Sequence, residues 1–370
     1  MAKVGLIVNP IAGMGGKVGL KGTDGPEIVR KAREMGAEPW APGRAVKALR
    51  LLKGVRELDI ICYPGTMGEN EAKEAGLNPR TIGVLPSGST SARHTREAAQ
   101  KMKELVVELL LFAGGDGTAR DIYSAVGEDQ TVLGVPAGVK IQSGVFGRTP
   151  GHAGRLAKKF LEGEISRTKK GEVMDIDEEA FRDGSVNSKL FGYLTVPDSE
   201  SHIQGIKTGT SPSESYVQQA IAEEVTENMN TGTIYFIGPG TTTRPVMEKL
   251  GLEYSLLGVD ALRGGELLGI DLREEDLLEL TEEGPAELVV TPIGGQGHLF
   301  GRGNQQISPE VIEKVNKENI TVVATPGKIA SLGGDPMLVD TGDPEVDDAL
   351  CGYIPVITGY REQIVYRVSG

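Results

Sequence analysis

Short apolar runs alternate with helical segments in the N-terminal part of the chain. Each run ends in glycine, proline or a polar residue, and the segments between them carry helix signals such as an early proline and a closing glycine. This alternation predicts a parallel sheet covered by helices on both faces. The predicted strands are Val4–Val8, Leu58–Tyr63, Thr81–Leu85, the run from Leu109 and Thr131–Val135; the predicted helices are Pro26–Met35, Arg44–Lys53, Thr95–Val107, a segment from Thr118 and Gly151–Leu161.

The pattern changes near Lys169–Gly171, where strand-like runs become more frequent. Strand character is evident at 173–176, 189–196, 232–237, 256–271, 288–291, 320–324, 336–340 and 353–368, with helices at 216–229, 245–250 and 308–315. The predicted fold class is therefore α/β, with an N-terminal doubly wound parallel-sheet domain (residues 1–168) and a second, β-rich mixed domain (residues 169–370). Whether part of the C-terminus returns to the first domain stays open.

The most informative loop is GGDGT, which follows the apolar run at Leu109. Its glycines, Gly114, Gly115 and Gly117, can adopt positive φ, so that backbone N–H groups converge on an anion. A carboxylate beside a phosphate is repulsive unless it binds a metal or takes a proton, and both roles belong to phosphoryl transfer. The alternative is that Asp116 is the N-cap of a helix starting near Thr118.

Other turns after strands carry candidate ligand-binding residues. Asn9 could hydrogen-bond a phosphate or hold a neighbouring loop, or it could form an Asx-turn that ends the strand. Lys140, in GVPAGVK, could reach a phosphate or be a solvated lysine. In GPGTTT, the backbone and hydroxyls suit a ribose, a phosphate or another polar ligand edge, whereas the simpler interpretation is a turn in which one threonine caps a helix. The residues concerned are Gly240, Thr241, Thr242 and Thr243.

One long loop, Gly294–Ser308, is dense in glycine and amides. Such a segment is costly in chain entropy and is usually retained for a ligand or a tight interface. Arg302 could pair with a phosphate, or the loop could form a subunit contact.

Composition excludes several classes of function. The net charge is −13 and no basic cluster stands out, which argues against nucleic acid and anionic membranes as partners. No apolar stretch approaches about 18 residues, so we expect neither a signal peptide nor a transmembrane helix. Cys62 and Cys351 suit a reducing cytoplasm without a disulfide. The four scattered histidines support no zinc site, and the metal ligands stay unknown.

The strand with NPxAG, the later GGDGT and then GVPAGVK resemble the superfamily of NAD kinases, diacylglycerol kinases and sphingosine kinases. The whole chain most resembles the ATP-NAD kinase branch, in the acetoin-catabolism type of prokaryotic sequences. The resemblance implies that GGDGT binds nucleotide phosphates and that Asp116 accepts the proton of the adenosine-ribose 2′-hydroxyl of NAD. It implies a phosphate role for Asn9 and a place near the dinucleotide for the GPGTTT turn.

The function expected from this resemblance is a cytoplasmic, Mg²⁺-dependent kinase that transfers a phosphoryl group from ATP to NAD and gives NADP. Lys140 would neutralise developing charge, and a homo-oligomer is expected. Three alternatives stay open: a kinase of the same fold acting on another small hydroxyl metabolite or a lipid, a non-catalytic sensor that binds NAD or ATP, and polyphosphate as the donor.

Overall fold

The structure, a computed structural model, describes residues 2–16, 18, 20, 26–85, 90–138, 141–176, 188–198, 212–255, 257–293 and 296–370. Contacts divide the chain into two units. The first comprises Met1–Met14 and Lys21–Ile206, and the second comprises Gly15–Leu20 and Lys207–Gly370.

The first unit is built on a five-stranded parallel sheet. Its strands are β1 (Ala2–Val8), β2 (Leu58–Cys62), β3 (Arg80–Thr81), β4 (Leu109–Gly114) and β5 (Val132–Pro136). Its helices are α1 (Pro26–Glu34), α2 (Ala41–Leu49), α3 (Glu69–Glu74), α4 (Ala92–Glu104), α5 (Asp116–Val126) and α6 (Pro150–Leu161).

The strand order in this sheet is β3-β2-β1-β4-β5. The order reverses between β1 and β4, and right-handed connections therefore place α2 and α5 on opposite faces. α2 packs with α6, and α4 packs with α5. Covered on both faces, β4 has no polar side: every residue of Leu109–Phe112 is fully buried. The doubly wound sheet predicted from the apolar runs is confirmed.

A two-stranded antiparallel sheet follows α6 in the chain. It consists of β6 (Thr168–Ile176) and β7 (Ser188–Pro197). Both strands belong to the first unit, where β7 contacts β5 and β6 contacts α5. The division that the contacts give therefore falls later in the chain than residue 168.

The second unit contains a mixed nine-stranded sheet among the residues described. Its strands are β8 (Ile234–Ile237), β9 (Val259–Arg263), β10 (Glu266–Leu272), β11 (Ala286–Val290), β12 (His298–Phe300), β13 (Ile320–Val323), β14 (Met337–Val339), β15 (Gly352–Gly359) and β16 (Glu362–Ser369). Its helices are α7 (Pro212–Glu227), α8 (Arg244–Leu250), α9 (Glu274–Glu283), α10 (Pro309–Val315), α11 (Pro326–Ser331) and α12 (Pro344–Leu350).

The strand order in the second sheet is β10-β9-β8-β11-β13-β15-β16-β14-β12. Strands β8, β11 and β13 are parallel neighbours, and their carboxyl ends therefore lie at one edge. β16 runs antiparallel to β15, while β14 and β12 follow the direction of β16. The predicted β-rich mixed domain is confirmed. In the part of the chain that the structure covers, no helix is both long and apolar enough to span a membrane.

A buried carboxylate on α3 gives a prediction about stability. Glu71 is 4% exposed, and its Oε2 has no hydrogen-bond partner among the described residues. Burial raises the pKa of the Glu71 carboxyl above its ordinary value. The folded state therefore binds the proton more tightly than the unfolded state, and this group's contribution to stability falls as the pH rises from about 4.3 upward.

We accordingly expect Glu71→Gln to melt roughly 2–4 °C above the wild type at pH 7, and to lose this advantage at a pH of about 4. Glu104→Gln is the control, because Glu104 is an exposed glutamate on α4 of the same unit. Thermal melts of the three proteins across this pH range measure the effect. An advantage for Glu71→Gln that does not grow with pH would contradict the prediction.

Candidate active site

The carboxyl ends of β1 and β4 form the topological switch point of the first sheet. Asn9 follows β1, and the GGDGT turn follows β4. The two strands are parallel neighbours, so both turns lie at the same edge. Ligands of open α/β sheets bind in the crevice outside such a switch point. This edge is therefore the candidate active site of the first unit.

Asp116 is the first residue of α5 and is 8% exposed. Its carboxylate accepts hydrogen bonds from two consecutive backbone N–H groups beyond β5. Gln142 N lies 2.8 Å from Oδ2, and Ser143 N lies 3.0 Å from Oδ1. Each carboxylate oxygen thus has a backbone donor, and together the two donors fix the orientation of the group at the switch point.

The structure contradicts two suggestions made for the GGDGT turn. The alternative that Asp116 caps the helix is wrong, because Gly115 is the N-cap and the Asp116 carboxylate accepts hydrogen bonds from the loop beyond β5. Gly114, Gly115 and Gly117 do not adopt positive φ. The turn needs small residues for another reason, which is close packing: a Cβ on Gly114 would lie 2.3 Å from Thr118 Oγ1.

A second close approach joins the turns after β4 and β5. A Cβ on Gly138 would lie 2.9 Å from the Cα of Gly115, and a Cβ on Gly115 would lie 3.2 Å from the Cα of Gly138. The backbone N–H groups of Ala137 and Gly138 both donate to the carbonyl oxygen of Gly114. The two turns are therefore held backbone to backbone.

Asn9 links the end of β1 to α5. Its Nδ2 donates to Thr118 Oγ1 at 3.0 Å, and its Oδ1 accepts from Ile11 N at 3.3 Å, which is the Asx-turn pattern. Of the roles weighed from the sequence, the structure shows the turn and the link to a neighbouring loop. Lys140, the other phosphate candidate of the first unit, lies outside the described residues.

In the second unit, the GPGTTT turn follows β8. Thr243 Oγ1 lies 2.6 Å from the carbonyl oxygen of Gly238 and 3.0 Å from that of Gly240. Thr243 stands at the N-cap of α8, but its side chain makes no capping hydrogen bond, so the capping interpretation is wrong. Gly240 has φ +146°, and a Cβ there would lie 2.6 Å from Thr291 Cγ2, so the turns after β8 and β11 touch.

Sequence reasoning missed polar residues that gather at this edge. Lys328 Nζ donates to Thr291 Oγ1 at 3.0 Å. Thr325 Oγ1 donates to Glu214 Oε1 at 2.7 Å and accepts from Lys328 N at 3.2 Å. The sequence carries a signal for these residues: a Thr-Pro pair follows β11 directly and follows β13 after one alanine, and the second pair continues as Gly-Lys.

The segment Gly294–Ser308 is not one continuous loop, because β12 lies within it. Arg302 is 2% exposed and Gln305 is 4% exposed, so these polar side chains of the segment are buried. A Cβ on Gly16 would lie 3.1 Å from the Gln305 side chain. Ser308 is the N-cap of α10, and its side chain accepts a hydrogen bond from Val311 N, which agrees with the predicted start of the helix at residue 308.

Within the ranges that the structure describes, no group of three His, Cys, Asp or Glu side chains is placed to hold a metal ion. Cys62 and Cys351 are free thiols. Burial raises the pKa of the Cys62 thiol, so this group stays protonated.

Comparison with protein families gives two matches in chain order. The ATP-NAD kinase N-terminal domain matches residues 4–165, and the ATP-NAD kinase C-terminal domain matches residues 230–368. Neither the curated proteins nor the solved structures give a match. The protein is a kinase, an ATP-dependent phosphotransferase. It belongs to the ATP-NAD kinase family, whose two domains account for most of the chain.

Proposed function

We propose that the protein phosphorylates NAD on the 2′-hydroxyl of its adenosine ribose and thereby makes NADP. The observation that carries the proposal is the Asp116 carboxylate, buried at the switch point and held by the N–H groups of Gln142 and Ser143. A fixed carboxylate of this kind suits a general base that receives a hydroxyl proton. The match to both kinase domains of the family supports NAD as the acceptor.

In this proposal each unit contributes residues that bind substrate. Backbone N–H groups of Gly114–Thr118 bind phosphoryl oxygens at the start of α5, where the helix dipole favours negative charge. Asn9 positions this turn through Thr118. Lys140 neutralises charge that develops during transfer. The residues proposed to contact the acceptor are Gly240, Thr241, Thr242 and Thr243.

Mg²⁺ is proposed as the counter-ion of the transferred phosphoryl group. This ion is usually bound by one or two carboxylates together with substrate phosphates rather than by an all-protein cage. Asp116 provides a carboxylate at the edge formed by the carboxyl ends of β1 and β4. It would hold the ion directly or through a water molecule of the ion's hydration shell. When bound, Mg²⁺ supplies charge neutralisation to the phosphoryl oxygens.

A kinase of the same fold with another acceptor, either a small hydroxyl metabolite or a lipid, is the second candidate, and polyphosphate is an alternative donor. A non-catalytic sensor is disfavoured by the carboxylate itself, because a protein that only binds phosphates gains nothing from a negative charge beside them.

The proposal includes a location in a reducing cytoplasm, supported by the two free thiols. It also includes a homo-oligomer, which sedimentation would test.

The test is incubation of the purified protein with ATP, Mg²⁺ and NAD, followed by an assay that cycles NADP only. We expect NADP to accumulate with time and enzyme concentration. Parallel reactions replace ATP by polyphosphate, or NAD by other hydroxyl compounds, and follow donor consumption. Donor turnover on another acceptor, with no NADP from NAD, would reject NAD as the acceptor and keep the kinase.

A further inference from the structure

The turns after β8, β11 and β13 bring polar residues together in the second unit. The three strands are parallel neighbours, so the turns share one edge of the sheet. Glu214 and Gln218 lie one turn apart on α7 and therefore on the same helix face, and Glu214 reaches the turn after β13 through Thr325. We call this group the edge cluster; its members are Thr242, Thr291, Thr325, Lys328, Glu214 and Gln218.

The edge cluster is bound together by contacts between its turns. Lys328 joins the turn after β13 to the turn after β11 through Thr291 Oγ1. Thr291 in turn packs against Gly240 of the turn after β8, where a side chain would collide with it. A single ligand at this edge would therefore meet residues from all three turns.

The hydrogen-bonding groups of the edge cluster are mostly donors. Thr291 Oγ1 accepts from the Lys328 ammonium, and its own proton is available to donate. Thr242 is fully buried and Gln218 is 3% exposed, yet Thr242 Oγ1 and Gln218 Nε2 have no partner among the described residues. Buried polar atoms without partners are rare in folded proteins and call for an explanation. Gln218 Nε2 is a donor and a threonine hydroxyl can donate, so a ligand with acceptor oxygens would satisfy both atoms.

We propose that the edge cluster binds phosphoryl oxygens, with Lys328 supplying the positive charge and Thr242, Thr291 and Gln218 supplying neutral donors. An oxyanion offers several acceptors at once, which matches what the cluster lacks. The carboxylate of Glu214 opposes an anion, but its Oε1 already accepts a hydrogen bond from the Thr325 hydroxyl. This inference deepens the proposed function, because it names the part of a substrate that the second unit holds.

Two sources of phosphoryl oxygens enter the proposed reaction. One is the triphosphate of the donor, and the other is the pyrophosphate that joins the two halves of the acceptor. Both present the same chemistry to Lys328, and binding measurements with separate probes distinguish them.

The first test is calorimetric titration with sodium tripolyphosphate, ATP and NAD in turn. We expect Lys328→Met to weaken tripolyphosphate binding at least tenfold, because a charged donor contributes most to an oxyanion site. Lys314→Met is the matched control; it removes an exposed lysine of the same unit that pairs with Glu282. Weakening of ATP alone identifies the donor, and weakening of NAD alone identifies the acceptor.

Equal affinity of Lys328→Met and wild type for all three probes would overturn the inference. The readout is independent of turnover, so its failure is separable from failure of the proposed function. Binding that depends on Lys328 without any NADP formation leaves the edge cluster standing and rejects the reaction. NADP formation by the wild type, together with unaltered binding of all three probes by Lys328→Met, would reject the edge cluster and keep the reaction.

The second test is Thr242→Val, which removes one buried hydroxyl at nearly constant volume. Without ligand, the variant should melt about 2–4 °C higher, because an unsatisfied polar atom is removed. Its affinity for tripolyphosphate should fall at least threefold. A lower melting temperature would show that the hydroxyl serves the fold, and would overturn the role assigned to Thr242.

Discussion

Asp116→Asn should lower the rate of NADP formation about 10²–10⁴-fold, the usual contribution of a general acid or base. Nucleotide binding should persist, because the backbone N–H groups of the GGDGT turn are unchanged. Single-turnover and steady-state rates from the NADP-cycling assay, with calorimetry for ATP and NAD, separate the loss of chemistry from a loss of binding. Near-normal turnover would remove Asp116 from the role of base.

The same substitution has a structural cost that must be measured beside it. An asparagine has one acceptor oxygen and one amide nitrogen, whereas Gln142 and Ser143 donate to both oxygens of the aspartate. One backbone N–H would face another donor, at a cost of about 1–3 kcal/mol of stability. Denaturation curves for each variant give a temperature at which all of them are folded, and the assay is run at that temperature.

Asp121→Asn is the matched control for this experiment. Asp121 lies on the same helix and pairs with Arg96 at 2.8 Å; the side chains of Arg96 and Asp121 are 45% and 14% exposed. A partly exposed pair of this kind contributes about 1 kcal/mol or less, so this variant should lose little stability and should retain its turnover. A loss as large as that of Asp116→Asn would mean that charge anywhere on α5, rather than the carboxylate at the switch point, sets the rate.

Gly114→Ala should cost stability and activity together. The new Cβ would lie 2.3 Å from Thr118 Oγ1 and 2.5 Å from Thr118 Cβ, distances at which something must move. Overpacking of this kind costs about 1–3 kcal/mol. Because Thr118 also accepts from Asn9, its displacement breaks the link between β1 and α5. Urea unfolding and ATP titration should both show the loss.

Gly43→Ala makes the same chemical change where there is room. Gly43 lies on α2, and a Cβ there meets nothing within 4 Å. Alanine is favoured over glycine in a helix by roughly 0.5–1 kcal/mol, so this variant should be slightly more stable than the wild type. Equal behaviour of the two variants would refute a special packing requirement at Gly114.

The first sheet could be predicted from the sequence because parallel strands covered on both faces are apolar throughout. Leu109–Phe112 is such a run, and its register beside β1 brings Asn9 and Asp116 to one edge. The identity of the candidate base followed from the same loop. Strand β3 was expected over five residues and has two, because the pairing with β2 ends at Thr81.

Other features of the site depend on pairings that the sequence does not display. The partners of Asp116 are backbone groups 26 and 27 residues further on, brought to it by the loop beyond β5. Strand β12 has three residues and lies between glycines, which is too short for a periodic signal. Lys328 is one lysine among many until the alignment of β11 with β13 places it beside Thr291.

The segment Gly15–Leu20 belongs to the second unit although it is made almost at the start of the chain. Gly16 packs against Gln305. During synthesis, Gly16 therefore leaves the ribosome long before Gln305 has been made. The five strands of the first sheet are complete once β5 has been made, whereas the second unit contains residues from both ends of the chain. A cut after residue 206 would therefore leave the C-terminal fragment without a piece of its own packing, and the two halves should be produced as one polypeptide.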